Sequence, residues 1–372
     1  MQVIPSASLL GLHQHSEAFK SIMLKNDLNT LIRNTDQVEM AFLPYQKNVL
    51  PMTVCHSDAA QTWVVSPLST YIDYAQEESL RNLSPLLARA IGAVLSGLKV
   101  FLRRQHFARA AMLNNWLVST NLYPEFHADA INTCMNQAIR HYPHHALWWR
   151  SLNFCHHAPW LHYLQQQGCL LIPSRRIFLL SNVQHAQTQH QDWRNDRRLQ
   201  RQTKLTLRQN HEFGAADYAT IATLYAQLYL DKYSRLNPEY TATYLQQWHQ
   251  AGLIYMQGWQ DENQVLQGIA GSIHNTQQLT TPIFGFNTDL PHKQGLYRLN
   301  NLVASDHAIE HNLQLNLSAG AGRFKQNRGA VPHIEYSAVY AKHLPIAQQQ
   351  ALKMVQAISH YIGKPMLEKM DL

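Results

Sequence analysis

Apolar positions recur at helical spacing along "DYATIATLYAQLYLDKYS", where Tyr218, Ile221, Leu224, Tyr225 and Leu228 form one stripe. "SRLNPEY" breaks that helix at Pro238, and a second helix precedes the strand "LIYMQGW". "NQVLQGIAGSIHNTQQLTTPIFGFN" reads as a hairpin, two apolar runs joined by a polar turn at residues 274–278. "GLYRLNNLVASDHAIEHNL" is again a helix, with Leu299, Leu302, Ala308 and Ile309 near helical spacing. A short strand "LQLNLS", a small-residue turn, a helix "AGRFKQNRG" and a strand "HIEYSAVYA" follow. The pattern predicts a mixed α/β unit of helix, helix, three strands, helix, strand, helix, strand.

The first half repeats the end of that order. "FHADAINTCMNQAIRHYP" is a helix, "HALWWRSLN" a strand, "APWLHYLQQQG" a helix and "SRRIFLLSN" a strand, with "AAMLNNWLVSTNLYP" as the central strand upstream. "DHAIEH" aligns with "NQAIRH", and "RFKQNRGA" with "HYLQQQGC"; in each copy an aromatic residue (Phe324, Tyr163) precedes a glycine (Gly329, Gly168) by five positions. Coincidence between two generic strand–helix–strand units is the alternative to duplication, and four elements in the same order favour duplication. The expected layout is a degenerate N-terminal unit over 1–190, a basic connection over 191–212 and a catalytic C-terminal unit over 213–372.

A length of 372 residues suits two domains, and 45% hydrophobic with 15% charged residues is a globular composition. Cys55, Cys134, Cys155 and Cys169 form no CxxC pair, which points to reduced thiols rather than a zinc knuckle. The N-terminal twenty residues lack a basic start followed by an apolar core, so no signal peptide is expected. The longest apolar run, "SPLLARAIGAVLSGLKVFLRR", carries Arg89 and Lys99 and is read as a buried or amphipathic helix with Ser84-Pro85 at its start, not as a membrane span. A cytoplasmic protein is the resulting expectation. Net charge is +7, and residues 194–208 hold six basic side chains against one acidic. That segment is either a solvated linker or helix face, or a patch that attracts phosphates. The 22 histidines include two doublets but no HExxH, so no metal site is expected.

The element order, ending in A-x-x-F-K-x-x-x-G-A at Ala321, Phe324, Lys325, Gly329 and Ala330, resembles the acyltransferase fold of the GNAT superfamily. Two fused units resemble the Fem-type aminoacyltransferases and the CelD-like acetyltransferases. The likeness covers most of 214–340 and, more faintly, 42–180. The glycine-rich turn "SAGAG" lacks the G-x-x-x-x-G-K-(S/T) order of a phosphate-cradling loop. It is read as a turn that lets a strand pass into a helix beside a site.

The resemblance implies acyl transfer to an amine of a small or peptide-like metabolite, with the donor held beside the strand "TTPIFGFNTD" and the turn "LPHKQGLYR". The family signature Q/R-x-x-G-x-G/A is supplied only in part, by Lys293, Gln294, Gly295 and Arg298. Acyl-CoA, an acyl-carrier protein and aminoacyl-tRNA therefore all stay open as donors. Candidate catalytic groups are Asn287, Asp289 as base, and Tyr336 as the acid for a leaving thiolate. Lys293, Gly295 and Arg298 are candidates for donor phosphates. The polar–aromatic loop carrying Tyr229, Lys232, Tyr233 and Asn237 is the candidate acceptor side. A non-catalytic binding protein on the same fold is the reading from another class.

Overall fold

The computed structural model describes residues 11–58, 61–82 and 84–369. Part of the segment that argues against a signal peptide, residues 1–10, lies outside the described residues. Among the described residues eleven strands form one mixed sheet: β1 (Val38–Tyr45), β2 (Asn48–Cys55), β3 (Ala110–Leu113), β4 (Ala146–Leu152), β5 (Leu170–Leu180), β6 (Thr206–Arg208), β7 (Tyr255–Gln260), β8 (Leu266–His274), β9 (Gln278–Phe286), β10 (Gln314–Asn316) and β11 (Val331–Tyr340). Their order across the sheet is β1-β2-β3-β4-β11-β5-β10-β9-β8-β7-β6. The pairs β3·β4 and β9·β10 are parallel, and all the others are antiparallel.

The duplication is visible in this order, with an exchange. In the first half an antiparallel neighbour, β2, leads to the parallel pair β3·β4; in the second half β8 leads to β9·β10 in the same way. The closing strand of each half then crosses over. β11 pairs with β4, and β5 pairs with β10, while β5 and β11 pair with each other from Val331↔Leu179 to Val339↔Leu170. Both closing strands are therefore interior to the sheet, which fits their near-continuous apolar runs "RIFLL" and "SAVYA".

Helices cover both faces. Asp217–Ala226 packs directly on β9, where a side chain at Gly285 would lie 2.5 Å from the Leu224 backbone. On the opposite face, Asn300 of the helix Leu296–Glu310 donates to the carbonyls of Ile269 (3.2 Å) and Gly285 (2.9 Å), tying the helix to β8 and β9. The alternating small residues of "QGIAGSI" and "IFGF" admit these close approaches.

Three regions depart from expectation. "AAMLNNWLVSTNLYP" gives only the four-residue β3, because Asn114 and Leu117 take left-handed φ angles of 54° and 62° and Asn114 and Asn115 bond to loop groups. The apolar run forms the helix Pro85–Arg104, with no side-chain hydrogen bond from Ser84 at its start. It is largely exposed: Leu86, Val94, Val100 and Phe101 face outward, and by length and composition alone it is long and apolar enough to cross a membrane. The basic segment is not a free connection, since Gln191–Gln202 is a helix with Trp193 and Asp196 buried, followed by β6 at the sheet edge.

Candidate active site

β9 and β10 part company after three residue pairs. Gln314, Leu315 and Asn316 face Gln278, Leu279 and Thr280, and β9 then runs on through residues 281–286 paired with β8 only. Beyond Asn316 the chain stays with β5 instead: Leu317 N–H donates to Phe178 O (2.9 Å), and Phe178 N–H donates to Ser318 O (3.1 Å). The parting leaves one edge of β9 without a strand partner. Across it the Tyr297 ring contacts Phe284 (5.3 Å) and Phe286 (6.2 Å) of β9 and Phe324 (4.8 Å) of the next helix.

A cavity of about 780 Å³ opens at this point. Its walls are the end of β9 (Phe286, Asn287), the start of Leu296–Glu310, Phe324 and Arg328 of the following turn, and Asp192, Asn195 and Arg198 of the basic helix. Four Lys or Arg side chains line it (Arg198, Lys232, Arg298, Arg328) against the single carboxylate of Asp192. The helix enters through Gly295 at φ +69°, and a Cβ there would lie 2.4 Å from Leu199 Cδ2, so a side chain there would be strained and would push Leu199 aside. No side chain caps that helix. The first-turn amides of Leu296, Tyr297 and Arg298 have no helical carbonyl before them and add partial positive charge to the cationic wall.

Behind the wall lies a buried carboxylate. Asp196 is wholly buried and accepts from Arg298 Nε at 2.5 Å and from Arg328 Nε and Nη2 at 2.8 and 3.1 Å. Arg328 also meets Asp192 at 3.3 Å and lies over the Phe324 ring at 3.5 Å. Arg298 is thus a cavity residue with one edge of its guanidinium already held. Asp196 and Arg328 were missed as site residues, and Arg198 entered only as part of the basic segment 194–208. The sequence signal for Asp196 is an aspartate inside an arginine run, and burial beside a second arginine is invisible there.

Of the expected residues, Asn287, Gly295, Arg298 and Lys232 converge on the cavity. Asn287 is also a structural hub: its side chain donates to Gln267 Oε1 (2.9 Å) and accepts from Asp289 N–H (3.0 Å). Asp289 and Lys293 are exposed on the loop and do not line the cavity. Asp289 thus lacks the burial that a near-neutral base requires. Tyr336 lies between β4 and β5, its ring 5.7 Å from Phe154 and packed on the first half's core, away from the cavity. The acid role expected for it has no partner in this geometry.

The acceptor loop is the tail of a helix. Asp217–Ala226 widens into a π-helical stretch, Gln227–Tyr233, which stacks Tyr229 on Tyr225 (4.9 Å) and sets Tyr233 6.0 Å from Tyr229. Asn237, expected to face the acceptor, is buried and fully engaged instead. It donates to the carbonyls of Tyr229 and Ser234 and accepts from Trp63 Nε1 at 2.9 Å. Burial raises the Tyr229 and Tyr297 phenols above their ordinary range.

The turn at residues 318–322 has another occupant. Ser318, Gly320 and Ala321 all take positive φ, and the carbonyls of Ser318 and Ala319 accept from Lys325 Nζ at 3.2 and 2.7 Å. The turn wraps a buried ammonium rather than a phosphate. Burial, and then the Arg175 charge, lower the Lys325 pKa to about 7.

No protein-family model matches the sequence, and no curated protein does. Solved structures resemble the fold. FemX matches with a TM-score of 0.52 at 9% identity over 95% of this chain and 95% of its own. L-PGS from Bacillus licheniformis gives 0.49 at 7% identity, covering 92% and 96%. A tandem GNAT protein from the clavulanic acid biosynthesis pathway gives 0.36 at 10% identity over 62% of this chain and 75% of its own. Of these three FemX has the highest TM-score, and the likeness does not single out the CelD-like acetyltransferases. With two matching parallel-strand units, one parted pair and a FemX-like course along nearly its whole length, the chain has the tandem acyltransferase fold of the GNAT type.

Proposed function

We propose that this protein transfers an acyl group from a thioester donor to an amine, using the cavity at the parting of β9 and β10. The observation that carries the reading is the unpaired edge of β9 beside an uncapped helix start and a cationic wall. Donor phosphates would meet Arg198, Arg298 and the amides of residues 296–298. The acyl carbonyl would lie along residues 281–286, where amides facing a developing oxyanion stabilise it. Tyr297, which lines the cavity, would donate its phenolic proton to the departing sulfur. The amine acceptor would approach over Tyr229, Lys232 and Tyr233. The proton that the amine loses as the C–N bond forms and the C–S bond breaks would restore the Tyr297 phenol, so the step closes without Asp289, which stands outside the cavity.

An aminoacyl-tRNA donor is the second reading. It is favoured by Arg194, Arg198 and Arg201, which stand exposed on the helix that walls the cavity. The two readings separate in one experiment: measure transfer and donor binding with an acyl-CoA panel and with aminoacyl-tRNA at rising salt. A thioester donor should give turnover that Arg198→Ala weakens; a tRNA donor should bind with a steep salt dependence from phosphate contacts. Binding of neither, nor of an acyl-carrier protein added as a third donor, would reject acyl transfer and leave a non-catalytic binding protein.

A further inference from the structure

At the far end of the helix Leu296–Glu310, roughly 14 Å beyond its last cavity residue by helical rise, three side chains of metal-ligating type share one face. His307, Glu310 and His311 stand at i, i+3 and i+4 in "HAIEH", the spacing that brings helix side chains together. One ligand atom from each lies within 4.8 Å of the others. Glu310 Oε2 is 4.0 Å from both His307 Nδ1 and His311 Nε2. The two imidazole rings meet edge to face with centroids 4.5 Å apart.

An independent observation points to a ligand here. The His307 side chain is 5% exposed, and its Nδ1 is buried with no hydrogen-bond partner. An unmatched buried nitrogen is costly, so a partner supplied from outside would stabilise the site. The ring plane is set by Tyr255 of β7, stacked on it at 4.1 Å and 2°. Glu310 is exposed and His311 half-buried, so both can turn inward from the path a solvated ion would take. Tetrahedral bonds of about 2.1 Å place ligand atoms roughly 3.4 Å apart, within reach of those two side-chain rotations. The helix C-terminus adds its partial negative charge.

We propose that His307 Nδ1, the Glu310 carboxylate and His311 Nε2 bind one divalent transition-metal ion of the zinc class. Two imidazoles and one carboxylate suit such an ion and not calcium or magnesium. Three ligands from one helix leave a coordination position open. In a tetrahedral site a water molecule would fill that position. The site is independent of the acyl-transfer reading.

The test is titration of the tag-free, metal-stripped full chain with Zn²⁺ by calorimetry and with Co²⁺ by visible absorption. The expected result is one saturable equivalent, with tetrahedral Co²⁺ bands and a Tm raised by Zn²⁺. Glu310→Gln and His311→Ala, both away from the core, should weaken binding at least about tenfold, as loss of a metal-site group does. Their folding is checked by circular dichroism. A His141→Ala/His144→Ala control, altering two exposed histidines, should bind as wild type does. Equal binding in wild type and the two ligand variants would overturn the proposal, as would dependence on the control pair or the lack of a saturable site.

Discussion

Arg175 and Glu335 are register partners on β5 and β11, the two exchanged strands, and they share three hydrogen bonds of 2.8–3.0 Å. Their side chains are 16% and 3% exposed. Trp63 lies between the Arg175 and Arg150 guanidiniums at 4.9 and 4.8 Å, so the pair anchors a charged centre where the halves meet. Breaking such a pair from one side leaves a buried charge without its counter-ion. Glu335→Gln is therefore expected to cost about 3–5 kcal/mol in urea unfolding. The double variant Arg175→Met/Glu335→Leu should regain much of that loss. A single-variant cost below about 1 kcal/mol, the range of an exposed pair, would show that the contact does not anchor the halves.

Arg198 is exposed and lines the cavity, so its removal isolates donor binding from folding. Arg198→Ala should weaken a phosphate-bearing donor by about 1.5–3 kcal/mol, the worth of a charge-assisted bond, with Tm unchanged. Asp289→Asn should leave turnover intact, contrary to a base role. Steady-state kinetics with the identified donor decide both, and a large kcat loss in Asp289→Asn would return that residue to the site.

Gly285 is where the helix Asp217–Ala226 touches β9 backbone to backbone. A methyl group there would sit 2.5–2.6 Å from Leu224 and Tyr225 main-chain atoms, which cannot turn aside as a side chain can. Gly285→Ala should cost about 1–3 kcal/mol through this overpacking. It should also raise KM for the acceptor, because the same helix carries Tyr229 and Tyr233. An unchanged unfolding midpoint would remove the close approach from the account.

Acid should unfold the protein through its buried histidines. Burial lowers the His13 pKa to about 4 and the His157 pKa to about 3. Because these folded values lie below the unfolded value of about 6.5, the unfolded chain binds more protons between them. Stability is thus full above about pH 6.5 and falls as pH drops toward 4 for His13 and 3 for His157, by up to roughly 1.4 kcal/mol per unit and histidine. His157→Gln should flatten this fall in urea titrations from pH 7 to 4. An identical slope in the variant would exclude His157 as a contributor.

The fold was legible where a single period dominates. The helix Leu296–Glu310, the hairpin of β8 and β9 and the strand β11 follow the apolar spacing, and Gly295 was recognisable as the residue before a helix. The candidate site was legible mainly along that stretch, at Asn287, Gly295 and Arg298, with Lys232 the one cavity residue expected from elsewhere. Asp289 looked like Asn287 in sequence, but pleat and turn place one at the cavity and leave the other exposed. Asn237 read as a polar loop residue, whereas Trp63, 174 positions earlier, claims its side chain. Asp196, Arg198 and Arg328 meet only because the basic helix packs on the second half. Nothing in local spacing records which strand a closing strand will join, so the crossing of β5 and β11 could not be read at all.

That crossing bears on how the chain is made. A ribosome releases β4 and β5 early, but the slot between them is filled only by β11, nearly 180 positions after β4 leaves the tunnel. Until then β4 offers an open interior edge, and β5 awaits both β11 and β10. Long-range closures of this kind slow folding and leave strand edges available for wrong pairing. The nascent first half must therefore wait, and a message cut short before residue 331 would yield two sheets without the strand that joins them.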